Sequence, residues 1–284
     1  MIRRCRVNCA PRQINQKSML PLPLIVEPEE LVPHLDDVMI IDLSSEATYV
    51  QAHLPGALHV SPAELVSGQR PAVGKLPDIT QLEDLFGNIG YAANRHIVVY
   101  DDEGGGWAGR MLWTLDVIGH VGASYLNGGI HAWLAADLPI SREIHRPTPT
   151  DIELTINHDF IATKDEILAS LEDQSLLIWD ARGPDEYIGA KVVAQRGGRI
   201  PGAINFEWTR AMDPNRQLRI RTDIAAQLAA VGIDGTKPIA THCQTHHRSG
   251  FTYLVGKSLG FDIKAYDGSW SEWGNDPDTP IEIG

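Results

Sequence analysis

The chain repeats itself, and that repetition constrains its fold more than any other feature of the sequence. Val38-Met39-Ile40-Ile41-Asp42 is followed by Tyr49 and then by His53-Leu54-Pro55-Gly56-Ala57-Leu58-His59-Val60. In the second half, Leu176-Leu177-Ile178-Trp179-Asp180 is followed by Tyr187 and, after an extra loop, by Arg199-Ile200-Pro201-Gly202-Ala203-Ile204-Asn205-Phe206. Each half then offers a helix, over 78–89 or 223–231, ended by Gly90 or Gly232, and a strand at Ile97–Tyr100 or Ile239–His242. A further helix follows from about Gly109 or Arg248. Both halves close alike, on Tyr125-Leu126-Asn127-Gly128-Gly129 with Trp133 and on Ala265-Tyr266-Asp267-Gly268-Ser269 with Trp273. Strands alternating with helices predict an α/β fold in each half, a mainly parallel sheet flanked by helices on both faces.

A length of 284 residues suits two such units. They are expected at 21–141 and 159–284, joined by a linker over 142–158 in which Pro147 and Pro149 stand among threonines. Residues 1–20 carry Arg3, Arg4, Arg6, Arg12 and Lys17 with no acid and no apolar core of the kind a secretory signal needs. They are read as a disordered basic extension, with Met19 as a second candidate start. The hydrophobic fraction of 43% is that of a globular chain, and no apolar run is long enough to span a membrane. A net charge of -13 argues against nucleic-acid and anionic-membrane surfaces, which rest on clustered Lys and Arg. Three cysteines, Cys5, Cys9 and Cys243, are too few for a disulfide framework and point to a reducing, cytoplasmic setting.

Chemistry concentrates in Thr241-His242-Cys243-Gln244-Thr245-His246-His247-Arg248-Ser249-Gly250. A β-prone run delivers Cys243 into a tight polar loop, and Arg248 opens an amphipathic run. Backbone N–H groups of Gln244, Thr245, His246, His247, Arg248 and Ser249 are expected to converge above the helix end, where aligned peptide dipoles favour an anion. A cysteine held there beside a cation becomes a thiolate nucleophile at neutral pH. An isolated cysteine is more often a small core residue, but its polar neighbours here suit no apolar core. The cluster lacks the ligand spacing of a zinc site, so no metal is expected. Ser249 reads as a helix-start hydroxyl. His242, His246 and His247 could reach a substrate, although a solvated rim is the plainer expectation for them. Trp208 could wall a pocket, and otherwise belongs to the core.

Tyr49, His53-Leu54-Pro55-Gly56-Ala57 and Val60, together with Tyr266-Asp267-Gly268-Ser269-Trp270, Glu272 and Trp273, resemble the two signature patterns of the tandem-domain rhodaneses, a sulfurtransferase family. The resemblance extends over most of the chain beyond the basic extension, and the Cys243 loop is similar to that of bacterial thiosulfate sulfurtransferases. It implies two rhodanese-like domains, the catalytic cysteine in the second and an aspartate, Asp101 or Asp102, at the matching place in the first. It also implies a substrate-binding role for Arg182 from its Asp-x-Arg context, oriented by Asp180. Arg248 has the charge and reach to grip the sulfonate of thiosulfate.

The expected reaction is a double displacement without metal or organic cofactor. Cys243 takes the outer sulfur of thiosulfate as a persulfide, and cyanide, a thiol or an acceptor protein removes it. Three other readings stay open. A mercaptopyruvate sulfurtransferase usually has small residues after the cysteine, unlike the bulky polar loop here. A cysteine-based phosphatase uses a longer loop, whereas only Gln244, Thr245, His246 and His247 separate Cys243 from Arg248. A persulfide carrier would keep the cysteine and make turnover incidental.

Overall fold

The computed structural model describes residues 22–284, so the expectations for the basic extension, with Cys5 and Cys9, lie outside the described residues. In chain order the first half comprises β1 (Ile25–Val26), α1 (Pro28–Leu31), β2 (Met39–Asp42), α2 (Glu46–Gln51) and β3 (Leu58–His59). It continues with α3 (Ile79–Asn88), β4 (Ile97–Tyr100), α4 (Gly106–Val117), β5 (Ala123–Leu126) and α5 (Gly129–Ala135). The second half runs through α6 (Lys164–Asp173), β6 (Leu177–Asp180), α7 (Pro184–Tyr187), β7 (Ile204–Asn205), β8 (Met212–Asp213) and β9 (Arg219–Ile220). It ends with α8 (Ile224–Ala229), β10 (Ile239–His242), α9 (Arg248–Ser258), β11 (Ile263–Ala265) and α10 (Ser269–Trp273).

Two parallel sheets result, ordered β1-β5-β4-β2-β3 and β11-β10-β6-β7, and β8 and β9 form a small antiparallel ribbon inside the second half. The central strands match in register: Asp42 pairs with Tyr100 in the first sheet as Asp180 pairs with His242 in the second. Alternate residues of β2 face opposite ways. Met39 and Ile41 enter one core, and Ile40 enters another with Val98 and Tyr100. Both faces are therefore covered, which is why these strands read as continuous apolar runs. Among the described residues no helix is long and apolar enough to cross a membrane.

One core is common to both halves. It contains Ile41 and Val99 from the first sheet, Trp179 and Ile239 from the second, and Met111, Trp113, Phe251 and Leu254 from α4 and α9 between them. A helix packed on all sides has no polar face to spare, and Ala108 through Leu115 on α4 are all buried. Glycine permits the closeness. A Cβ on Gly109 would lie 2.3 Å from the Gly250 carbonyl oxygen, and one on Gly250 would lie 2.6 Å from that of Gly106. Trp113 anchors the join, its indole N–H donating to the Phe160 carbonyl at 2.8 Å; truncating such a side chain to alanine costs about 3–5 kcal/mol. Because α4 and α9 begin at the carboxyl ends of β4 and β10, their crossing brings the two strand-to-helix loops to one place.

Candidate active site

The Cys243 loop is shaped by its own backbone and by Ser269. His246 lies in the left-handed region at φ 54, which turns the chain inward. Ser269 Oγ accepts the N–H of His246 at 3.1 Å and that of Cys243 at 3.4 Å. On the other side, the N–H groups of Trp270 and Ser271 hold the carbonyls of Cys243 and Gln244 at 3.0 and 2.9 Å. The carbonyls of Cys243 and Gln244 are thus tied to α10, while several amides of the loop are left over. Gln244, Thr245, His247 and Arg248 find no hydrogen-bond acceptor for theirs among the described residues, which is the makings of an anion nest.

Cys243 is 1% exposed. Ser249 donates to its sulfur twice, from the hydroxyl at 3.5 Å and from the backbone N–H. Burial works against ionisation of the thiol, but Arg248, the two Ser249 donors and His247 outweigh it and hold its pKa below the ordinary value. The Ser249 hydroxyl also lies 2.7 Å from His246 Nδ1. Burial, with the charges of Arg110 and His247, keeps His246 well below its usual pKa and hence neutral. The consistent arrangement is a chain in which His246 Nδ1–H donates to Ser249 and Ser249 donates to the sulfur. Ser249 is thus a direct partner of the sulfur, beyond the helix-start role expected of it.

Both arginines carry carboxylate partners. Arg248 forms a bidentate pair with Glu186 of α7, Nη1 to Oε2 at 2.6 Å and Nη2 to Oε1 at 3.0 Å. An anion meets this guanidinium in competition with Glu186. Arg182 departs further from its expected role. It is 1% exposed, donates from Nε to both Asp180 oxygens and from Nη2 to Oδ2, gives Nη2 also to the Gly198 carbonyl, and lies 4.3 Å over the Trp270 ring. Nε and Nη2 are thus engaged within the floor of the site, and the guanidinium is fixed by these contacts. Burial opposes the charge of Asp180, yet His242 and Arg182 hold its pKa below the carboxylate range. His242, 3.6 Å from Asp180, is itself held below its usual pKa by burial, so the Arg182 contact carries the pairing at neutral pH.

The expectation of rim histidines fails for two of the three. His242 and His246 are fully buried because β10 and the loop lie under α10 and against Trp113, whose ring meets His246 edge-on at 4.6 Å. His247 remains 23% exposed and stacks on Trp107 at 4.4 Å, with Trp208 at 5.6 Å. Trp208 is half-buried between His247 and Phe251, so it flanks the loop as well as joining the core.

Glu103, Glu186, Trp107 and Trp113 were not anticipated. Glu103 pairs with His247 across the domain boundary, 144 residues away in the chain. Glu186 had only a local signal, the helix start Gly183-Pro184-Asp185-Glu186, which says nothing of Arg248. A cavity of about 760 Å³ between the halves, lined in part by Lys75, Lys164, Asp267 and Glu272, does not include Cys243 in its lining.

Comparison with known proteins agrees with this architecture. The family model for the rhodanese-like domain matches residues 27–136 and 163–276. A thiosulfate sulfurtransferase of Azotobacter vinelandii is 54% identical over 265 residues, covering 92% of this chain and 98% of that protein. One from Pseudomonas aeruginosa is 52% identical with the same coverage. The thiosulfate sulfurtransferase of Bos taurus is 31% identical over 79% of this chain and 78% of its own. Among solved structures, the anaerobic ergothioneine biosynthesis enzyme from Chlorobium limicola superposes with a TM-score of 0.81 over 92% of this chain and 70% of that one. At 23% identity it speaks to the fold alone. With the cysteine loop on the second of two matched repeats, the chain belongs to the rhodanese family, and its two rhodanese-like domains stand in tandem.

Proposed function

We propose that this protein is a thiosulfate sulfurtransferase working through a persulfide on Cys243. The Cys243 thiolate attacks the outer sulfur of thiosulfate; the S–S bond of the donor breaks, and sulfite leaves with its electron pair. The product is a Cys243 persulfide anion. Cyanide, or a thiol acceptor, then attacks the outer sulfur of that persulfide, and the thiolate is restored. Neither step needs a proton shuttle or a metal.

The single observation that carries this reading is the buried Cys243 thiol at the mouth of α9, with the Ser249 hydroxyl donating to its sulfur at 3.5 Å and the charges of Arg248 and His247 facing it. Unpaired loop amides await a second sulfur, where fixed dipoles stabilise charge with little reorganisation. His247 and Arg248 are the cations that meet the incoming anion. Arg182 acts through Asp180 and the loop floor. The bulk of His247 between Trp107 and Trp208 favours a small inorganic donor over a keto acid. The free Cys243 thiol supports a reducing setting such as the cytoplasm, where thiol acceptors are also found. Intact mass spectrometry after thiosulfate treatment tests the intermediate. One added sulfur atom is expected, absent in Cys243→Ala and removed by cyanide; an unchanged mass refutes the mechanism. Mercaptopyruvate turning over faster than thiosulfate refutes the donor.

A further inference from the structure

The domain without the cysteine reaches into the site. Glu103, in its strand-to-helix loop, forms an ion pair with His247 Nε2. The imidazole is held from its flat side by Trp107, the residue that follows the start of α4, with ring planes 29° apart. Gly106 makes the space: a Cβ there would stand 2.5 Å from His247 Nε2 and 2.7 Å from Glu103 Oε1. Three residues of the first domain's loop and helix start therefore fix one residue of the second domain's loop.

We propose that Glu103 is a positioning residue for sulfur transfer, clamping His247 beside Cys243 as a charged partner of the sulfur. This rests on the sulfurtransferase reading above. Glu103 touches the imidazole, so its influence on the sulfur passes through His247. The need for a second cation is visible in Arg248, whose terminal nitrogens are both engaged by Glu186. The charged groups facing His247 are Glu103, Asp101 and Cys243; burial opposes its charge, but these three raise its pKa above the usual value. Those facing Cys243 are Arg248, His247 and, from α4, Arg110. Without Glu103, His247 would lose its largest support against burial, and Cys243 would lose part of the charge that faces it.

The test is the pH dependence of iodoacetamide alkylation at Cys243, read on the Cys243 peptide by mass spectrometry in the full-length protein. Glu103→Gln is expected to raise the apparent thiol pKa by about one unit and to lower kcat/KM for thiosulfate by roughly tenfold. Glu103→Asp, which keeps the charge, should recover most of both. In a His247→Gln background, Glu103→Gln should add nothing. An alkylation profile for Glu103→Gln that superimposes on the parent overturns the proposal, as does equal damage from Asp and Gln with the thiol pKa unmoved, the mark of a packing role. Alkylation consumes no sulfur donor. Failure of the thiosulfate reading would therefore appear separately, as absent sulfur loading with an intact alkylation response.

Discussion

The two strand-to-helix loops are the same piece of backbone put to opposite uses. Asp101 follows β4 as Cys243 follows β10, and each is separated by four residues from the first residue of its helix, Gly106 or Arg248. Gly104 and His246 both have positive φ, 96 and 54. The carbonyls of Asp101 and Cys243 are held alike, by the N–H of Ile130 at 3.2 Å and of Trp270 at 3.0 Å. In the first loop the Asp101 carboxyl fills the nest itself. Oδ1 accepts from the N–H groups of Glu103, Gly104 and Gly105 at 3.2, 3.1 and 2.8 Å, and Oδ2 from that of Ala108 at 3.0 Å. In the second loop a shorter side chain ends in sulfur, and amides are left over. Loop shape creates the anion site; the residue at its base decides whether it is occupied from within or open to a transferred atom.

Exchanging the two residues gives the largest expected effects. Cys243→Asp should abolish sulfur loading and lower thiosulfate turnover by roughly a thousandfold or more. The reciprocal Asp101→Cys should gain no sulfur loading, because Gly106 and Trp107 stand where Arg248 and Ser249 serve the second loop. Loading of Asp101→Cys, measured by intact mass in a Cys243→Ala background, would show that loop shape alone suffices. Ser249→Ala is expected to cost about tenfold in kcat/KM with a raised alkylation pKa at Cys243, since a hydrogen bond to a charged group contributes about 1.5–3 kcal/mol. An unaltered pKa would remove Ser249 from the account.

The smallest effect concerns stability. Burial, assisted by Glu103, raises Asp101 to about 6 despite its four amide donors, above the ordinary 3.8. Between those values the folded state binds the extra proton, so its contribution to stability is fullest at the acid end and is lost as pH rises through about 6. Urea unfolding across that range should show a downward slope in the parent that flattens in Asp101→Asn. Identical slopes would mean that the carboxyl titrates normally.

The repeat, the parallel sheets and the cysteine loop were legible because each is written locally, in turn residues, apolar runs and spacing. Asp101, not Asp102, proves the counterpart of Cys243, since α4 begins at Gly106 and not near Gly109; the glycine-rich loop needs no gap and disguises a helix start. What could not be read is what each charge meets. Nothing in the sequence around Arg182 says that it packs against Trp270 as well as pairing with Asp180. Arg248 and Glu186, or His247 and Glu103, come together only when distant segments pack. His242 and His246 look polar and solvated, but burial under α10 and against Trp113 makes them neutral framework.

Backbone contact at Gly109 and Gly250 makes each repeat depend on the other. A gene fragment encoding the cysteine-bearing repeat alone would present an oily strip along α9 to solvent and would lack the carboxylate that holds His247. The first repeat would then serve as a wall of its twin's workplace, and an enlarged residue at either glycine should damage both repeats at once.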